Sequence, residues 1–136
     1  NKFTTIGANG DIIQVDTNGK IIRKKLGFDS RTNLLASNKL IIAQWDNNLQ
    51  IGDKKIKLEF GNYTTPKLFY LNDKIFITIT DIQSDKVWFF DSNGKVLSDF
   101  PVYGTSSIDL DNIDEDKSLE FVCQSSYNEL IMYQIY

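Results

Sequence analysis

The chain has 136 residues, 41% hydrophobic and 24% charged, the composition of a folded globular chain rather than a disordered one. A net charge of −3 argues against a nucleic-acid partner, which needs clustered Lys and Arg, and no apolar run approaches the roughly 20 residues of a membrane-spanning helix. Histidine is absent, which removes the commonest general base, the usual Ser and Cys catalytic arrangements and most zinc sites.

From the first residue onward, short runs rich in Ile, Val, Phe, Tyr and Thr are separated by turn clusters of Gly, Asn and Asp. This is the pattern of an all-β sandwich, barrel or propeller. Repetition decides among them. The segment Asp11 to Ile22 aligns without a gap with Lys86 to Leu97: an apolar strand ends at Asp16 or Asp91, an Asn-Gly pair turns the chain, and Lys plus two apolar residues begin the return strand. The two hairpins lie 75 residues apart, and a degenerate copy, Asn48 to Leu58, lies midway. The starts Asn1-Lys2-Phe3, Asn38-Lys39-Leu40 and Asp73-Lys74-Ile75 repeat with offsets of 37 and 35 residues. A period of about 40 residues with four strand-sized runs is the mark of a β-propeller blade.

The predicted fold is therefore a β-propeller segment of four-stranded antiparallel blades, about three and a half of them. The blades fall near residues 1–28, 29–62, 63–104 and 105–136 of a single partial propeller. With strands lettered A to D from the inside out, A strands are expected near 33–36, 67–71 and 107–110, and B strands near 3–7, 40–45, 75–80 and 119–124. C strands are expected near 11–15, 49–51, 86–90 and 130–133, and D strands near 21–26, 55–60 and 95–100. The first blade lacks its A strand and the last its D strand, so the chain reads as the C-terminal part of a larger ring. Its start at Asn1, without a leader, reads as a processed form or a piece of something longer. The pairs Lys24-Lys25 and Lys54-Lys55 read as guards on exposed strand edges. Cys123, the only cysteine, excludes an internal disulfide and reads as a small core residue.

The stretch Val87 to Gly104, followed by Asn112 to Val122, resembles bacterial secreted or surface propellers of the FG-GAP/VCBS and PQQ-like repeat groups. Blades of those groups often read strand, Asp-x-x-Gly-Lys, strand, Phe-Pro, then an acidic loop. The resemblance covers the last fifty or so residues and extends to the rest only through the hairpin motif. It implies an extracytoplasmic location in a bacterium, at the cell surface or in the periplasm.

One constellation has metal-ligand spacing. Asn112, Asp114, Asp116 and Glu120 occupy positions 1, 3, 5 and 9 of a loop, with the Ser118 carbonyl at position 7. Hard oxygen ligands at alternate positions suit Ca²⁺ in a structural role, and in the FG-GAP pattern the same positions carry the ion. The sequence departs from that pattern at Glu115 and Lys117, where glycines are usual, so only weak binding is expected. The competing reading is a solvated acidic hairpin with Glu120 pointing to solvent; under it the chain has no cofactor. Asp109 and Asp111 add local negative charge. Trp45, Trp88, Tyr103, Tyr127 and Tyr136 are candidates for an aromatic binding face, although Trp88, Phe89 and Phe90 read as core and only Tyr103 and Tyr127 fall in loops.

No residue set forms a catalytic constellation, so the expected function is a non-catalytic binding or scaffolding module for a protein or glycan partner. The alternative is the non-catalytic end of a larger propeller enzyme, of glycoside hydrolase or quinone-dependent dehydrogenase type. Carboxylates alone run glycoside hydrolysis, so the lack of histidine leaves that class open. The open blade ends are expected to bury themselves against the rest of a longer chain or against another copy.

Overall fold

The computed structural model describes every residue except Ser30 and Asn38. Asn38, set by the sequence repeat at the start of the second B strand, thus lies outside the described residues. Fourteen strands form four antiparallel sheets and no helix among the described residues. No helix is therefore long and apolar enough to cross a membrane. The first sheet holds β1 (Lys2–Ile6), β2 (Asp11–Asp16) and β3 (Ile21–Lys25). The second holds β4 (Asn33–Ala36), β5 (Ile41–Trp45), β6 (Asn48–Ile51) and β7 (Lys54–Lys57). The third holds β8 (Lys67–Leu71), β9 (Lys74–Asp81), β10 (Lys86–Asp91) and β11 (Val102–Tyr103), and the last β12 (Asp109–Asp111), β13 (Leu119–Gln124) and β14 (Leu130–Ile135). Within each sheet the strands pair in chain order, a meander, as expected of blades.

The two matched hairpins are the same object at the same place, the β2–β3 and β10–β11 connections. Asp16 accepts at its carbonyl from the Gly19 amide (3.0 Å), and its carboxylate accepts from the amides of Asn18 and Lys20 (both 2.9 Å). Asp91 repeats all three with Gly94 (3.0 Å), Asn93 (2.8 Å) and Lys95 (2.9 Å). The aspartate side chain fastens the turn. The glycine alone takes positive φ, 78° at Gly19 and 77° at Gly94, as a type I turn closed by a bulge requires.

One strand departs from expectation. The sequence places the fourth strand of the third sheet at 95–100, but there the pairing with β10 is limited to the turn bond from Asp91 N–H to the Lys95 carbonyl, a bridge between Val96 and Phe90 and a bond from Leu97 N–H to the Phe89 carbonyl, and ladder pairing resumes at Val102 and Tyr103 opposite Val87 and Lys86. Pro101 has no N–H to give a ladder, and Asp99 sits at φ 66°, so the chain bulges away between the two contacts.

The sheets stack face to face, and the core lies between them in three layers. Ile12, Phe28 and Ala43 fill the layer between the first and second sheets, where the Phe28 and Trp45 rings lie 5.0 Å apart. Ile42, Leu49, Ile51, Ile77, Ile79 and Phe90 fill the next. Phe76, Val87, Phe89, Leu110, Leu119, Phe121 and Cys123 fill the third. In that third layer Phe89 meets Phe100 at 4.6 Å and Phe121 at 4.9 Å, and Phe121 meets Tyr133 at 5.0 Å. Aromatic contacts of this kind add about 0.5–1.5 kcal/mol each beyond the area they bury. Cys123 is buried, as expected, and burial pushes its thiol pKa up. Lys24, Lys25, Lys54 and Lys55 sit on the outer strands β3 and β7 and are exposed.

A buried carboxylate ties the second sheet to the third. Asp81, 1% exposed, accepts from the Asn62 amide (2.9 Å), the Gln83 amide (3.0 Å) and the Ser84 hydroxyl (2.5 Å). Gly61 lies so close to it that any Cβ there would overlap the carboxylate. Burial raises the Asp81 pKa, but the donations from Ser84, Gln83 and Asn62 outweigh it and hold the carboxyl below its ordinary value. A lowered folded-state pKa contributes stability above the ordinary value near 4 and loses it as pH falls through the folded value. Asp81→Ala, which strands these donors, is expected to lower unfolding stability by about 3 kcal/mol in urea titration at neutral pH. The difference between variant and parent should shrink as pH falls below about 4.

Candidate functional site

The turn between β12 and β13 carries the acidic constellation. Asp111 and Glu120 face each other across the two strands, so the chain from Asn112 to Ser118 loops out and returns beside its own start. The tight curl is reached without glycine, since Glu115 itself adopts the left-handed conformation at φ 59°. Carboxylate oxygens of Asp114, Asp116 and Glu120 come within 4.8 Å of one another. Asp114 and Asp116 are exposed, whereas Glu120 is 6% exposed.

Glu120 does not point to solvent, as the solvated-hairpin reading expects. Its carboxylate accepts from the Ile113 amide (3.1 Å) and from Gln134 Nε2 (3.1 Å), so it closes the base of the loop. Asp116 accepts from the hydroxyl and the amide of Ser118, which together hold its carboxyl below the ordinary value. Ser118 thus enters through its hydroxyl and N–H, while the sequence pattern assigned it a carbonyl role. Asn112 Nδ2 donates to the Asp116 carbonyl (2.9 Å), leaving Asn112 Oδ1 buried with no hydrogen-bond partner. A buried acceptor beside three carboxylates is what an oxygen-coordinated cation satisfies. Asp109 and Asp111 lie on β12 and do not join the group; Asp111 accepts from the Asn112 amide (2.8 Å).

The loop also walls a cleft of about 710 Å³ at the seam of the third and fourth sheets. Its apolar lining, Phe76, Leu97, Phe100, Leu119 and Ile135, belongs to the aromatic layer described above. Around it stand Lys39, Lys74 and Lys117, with Asp73, Asp91 and Asp99 and two exposed tyrosines, Tyr70 and Tyr136. Tyr70 donates to Asp73 (2.9 Å), which raises the phenol pKa. A hydrogen-bonded chain joins loop and cleft: Gln134 Nε2 donates to Ser118 Oγ (2.6 Å), and Tyr136 donates to Gln134 Oε1 (2.8 Å).

The aromatic candidates do not form one face. Trp45 packs on Phe28, and Trp88 lies in the second core layer with Phe90. Tyr103, read from the sequence as a loop residue, lies on β11 paired with Lys86, while Tyr127 lies in the β13–β14 turn; both are exposed, the Tyr103 hydroxyl donates to Ser126 of that turn (2.8 Å), and Tyr136 lies in the cleft. Sequence reasoning missed Tyr70 and Lys74, neighbours on the β8–β9 hairpin, and Lys39, which joins them at the cleft from the second sheet's side.

The comparisons with known proteins bear on the fold. No family model and no curated protein matches the sequence. Among solved structures, the chain is similar to virginiamycin B lyase from Staphylococcus aureus, with a TM-score of 0.51 at 15% identity, over 98% of this chain and 55% of that one. That protein is a β-propeller. The fold is that of a β-propeller segment. At this identity the likeness carries the fold and nothing more, and it does not distinguish the FG-GAP/VCBS and PQQ-like types. The chain spans about 55% of the length of that lyase.

Proposed function

We propose that this chain is a non-catalytic β-propeller module of a bacterial exported or surface protein, holding a protein or glycan partner in the cleft between its third and fourth sheets. The observation that carries the reading is the cleft itself. Its volume of about 710 Å³ is that of a ligand site, with an apolar floor and charged groups of both signs around exposed tyrosines. Such a surface offers stacking on its tyrosines and hydrogen bonds from its polar groups. A second reading, the non-catalytic end of a larger propeller enzyme of glycoside hydrolase or quinone-dependent dehydrogenase type, is favoured by the span, since the chain covers 55% of a protein named as a lyase.

Screening glycan and peptide arrays, followed by amide chemical-shift mapping of any ligand found, tests the binding site. Shifts are expected at Tyr70, Lys74, Lys117 and Gln134, with Tyr136→Ala weakening binding about tenfold, or ~1.4 kcal/mol. Shifts confined to the opposite end of the sheets, around Tyr103 and Tyr127, would contradict it.

The second part of the proposal is a weak, structural Ca²⁺ held by the turn. Asn112 Oδ1, the carboxylates of Asp114, Asp116 and Glu120, and the Ser118 carbonyl would supply the ligands, and the ion would stiffen the wall of the cleft through Ser118 and Gln134. Lys117, on the same turn, weakens the field that attracts a cation. Millimolar Ca²⁺ is expected to raise the melting temperature by mass action, a chelator to reverse it, and Asp114→Ala to abolish the response. Calorimetry without a heat of binding, together with a melting temperature indifferent to Ca²⁺, would leave the turn as a plain hairpin.

A further inference from the structure

Several lysines of this chain have a structural use. Lys57 donates to Asn47 (2.9 Å) and Asn48 (3.2 Å), Lys67 to the Ile108 carbonyl (2.9 Å) and Lys86 to Glu59 (2.7 Å). Lys24, Lys25, Lys54 and Lys55 stand on outer strands. Lys39, Lys74 and Lys117 fit neither group. All three are exposed, and their ammonium groups make no ion pair or hydrogen bond among the described residues, where the ion pairs are Arg31–Asp29 and Lys86–Glu59.

Each of the three sits at the connection from the first strand of its sheet to the second, β4 to β5, β8 to β9 and β12 to β13. The repeated starts Asn38-Lys39-Leu40 and Asp73-Lys74-Ile75 fix only a place beside a turn. Stacking does the rest, because equivalent turns of successive sheets come side by side and all three lysines border the same cleft.

The carboxylates of the cleft are mostly occupied. Asp91 accepts from the Asn93 amide (2.8 Å) and the Lys95 amide (2.9 Å) of its own turn, and Asp73 accepts from the Tyr70 hydroxyl (2.9 Å), which leaves Asp99. Asp114 and Asp116, on the turn of Lys117, converge on Glu120 and do not line the cleft. Three ammonium groups therefore face one uncommitted carboxylate, and the cleft is short of anionic acceptors. The equal number of aspartates still opposes a densely charged chain, so the complementary ligand carries spaced carboxylates with hydroxyls between them. Sheets stacked face to face lie about 10 Å apart, roughly the length of two linked pyranose rings. Tyr70, 63% exposed and held by Asp73, presents a ring on which a sugar face can stack.

We propose that the cleft takes an acidic polysaccharide with one carboxylate per disaccharide, its carboxylates pairing with Lys39, Lys74 and Lys117 and its rings and hydroxyls meeting Tyr70 and the aspartates. This rests on the reading of the cleft as the partner site.

Titration calorimetry of the chain with oligosaccharides of hyaluronan and of unsulfated chondroitin, each beside its carboxyl-reduced form, tests it. At least one acidic oligosaccharide is expected to bind, with its reduced form about tenfold weaker or more. Binding should weaken as salt rises from about 0.01 to 0.15 M, where the Debye length falls from about 30 to 8 Å. Lys39→Gln, Lys74→Gln and Lys117→Gln should each weaken it about threefold, and together about thirtyfold. Lys24→Gln, which removes a charge on β3 away from the cleft, should leave it unchanged. No binding by either acidic oligosaccharide overturns the proposal, as does a Lys24→Gln loss equal to that of the cleft variants. So does poly-glutamate or single-stranded DNA bound as tightly as the glycans. Acidic and reduced forms bound equally, with amide shifts at Tyr70 and Lys74, overturn the anionic ligand and keep the cleft as the partner site. Acid-selective binding with shifts confined to the region of Tyr103 and Tyr127 overturns both.

Discussion

Everything in this molecule depends on a sheet that is apolar on both faces. In the third sheet, Ile75, Ile77, Ile79, Trp88 and Phe90 point one way while Phe76, Val87 and Phe89 point the other. Such a sheet has no face to give to water, and burying a large apolar side chain is worth about 1.5–3 kcal/mol, so it must be covered twice. Stacking on a sheet before and a sheet after satisfies it.

The same stacking explains where chemistry gathers. Strand pairing leaves the ends of each sheet as tight turns, and stacking brings turns of successive sheets side by side. The cleft is built that way: β8–β9 supplies Tyr70 and Lys74, the segment after β10 supplies Asp91 and Phe100, and the acidic turn with β14 supplies Lys117, Gln134 and Tyr136. None of these residues is near all the others in sequence. Asp81 serves the complementary end, fixing the connection between the second and third sheets with hydrogen bonds from three different residues.

The fold was largely legible in the sequence because its signals are local. An Asp-x-Asn-Gly-Lys hairpin encodes its own turn, and finding it twice, at Asp16 and Asp91, betrays the repeat. The acidic spacing was legible for the same reason, and Asp114, Asp116 and Glu120 do converge. What escaped depends on contacts between sheets or on a single backbone kink. The burial of Glu120 needs Gln134, fourteen residues away on β14, and the displaced outer strand of the third sheet turns on the bulge before Pro101. The cleft lysines and Tyr70 carry no pattern of their own, because a lysine beside a turn reads the same whether it faces open water or a cavity. Of the aromatic residues, Trp88, Phe89 and Phe90 lie in the core and Tyr103 and Tyr127 are exposed, as read from the sequence, while the place of Tyr136 beside the cleft depends on the neighbouring sheet.

The central claim is that the sheets stack as successive blades, and aromatic proton contacts in solution test it most directly. Cross-relaxation is expected between the rings of Phe28, on the segment after β3 that bonds to the β1–β2 turn, and Trp45 of the second sheet, 5.0 Å apart, and between Phe89 and Phe121, 4.9 Å apart across the last pair of sheets. Both contacts present, alongside the strand registers within each sheet, is the result the stacked arrangement predicts. Registers intact but both ring contacts missing, with Phe121 seeing only residues of its own sheet, would contradict it.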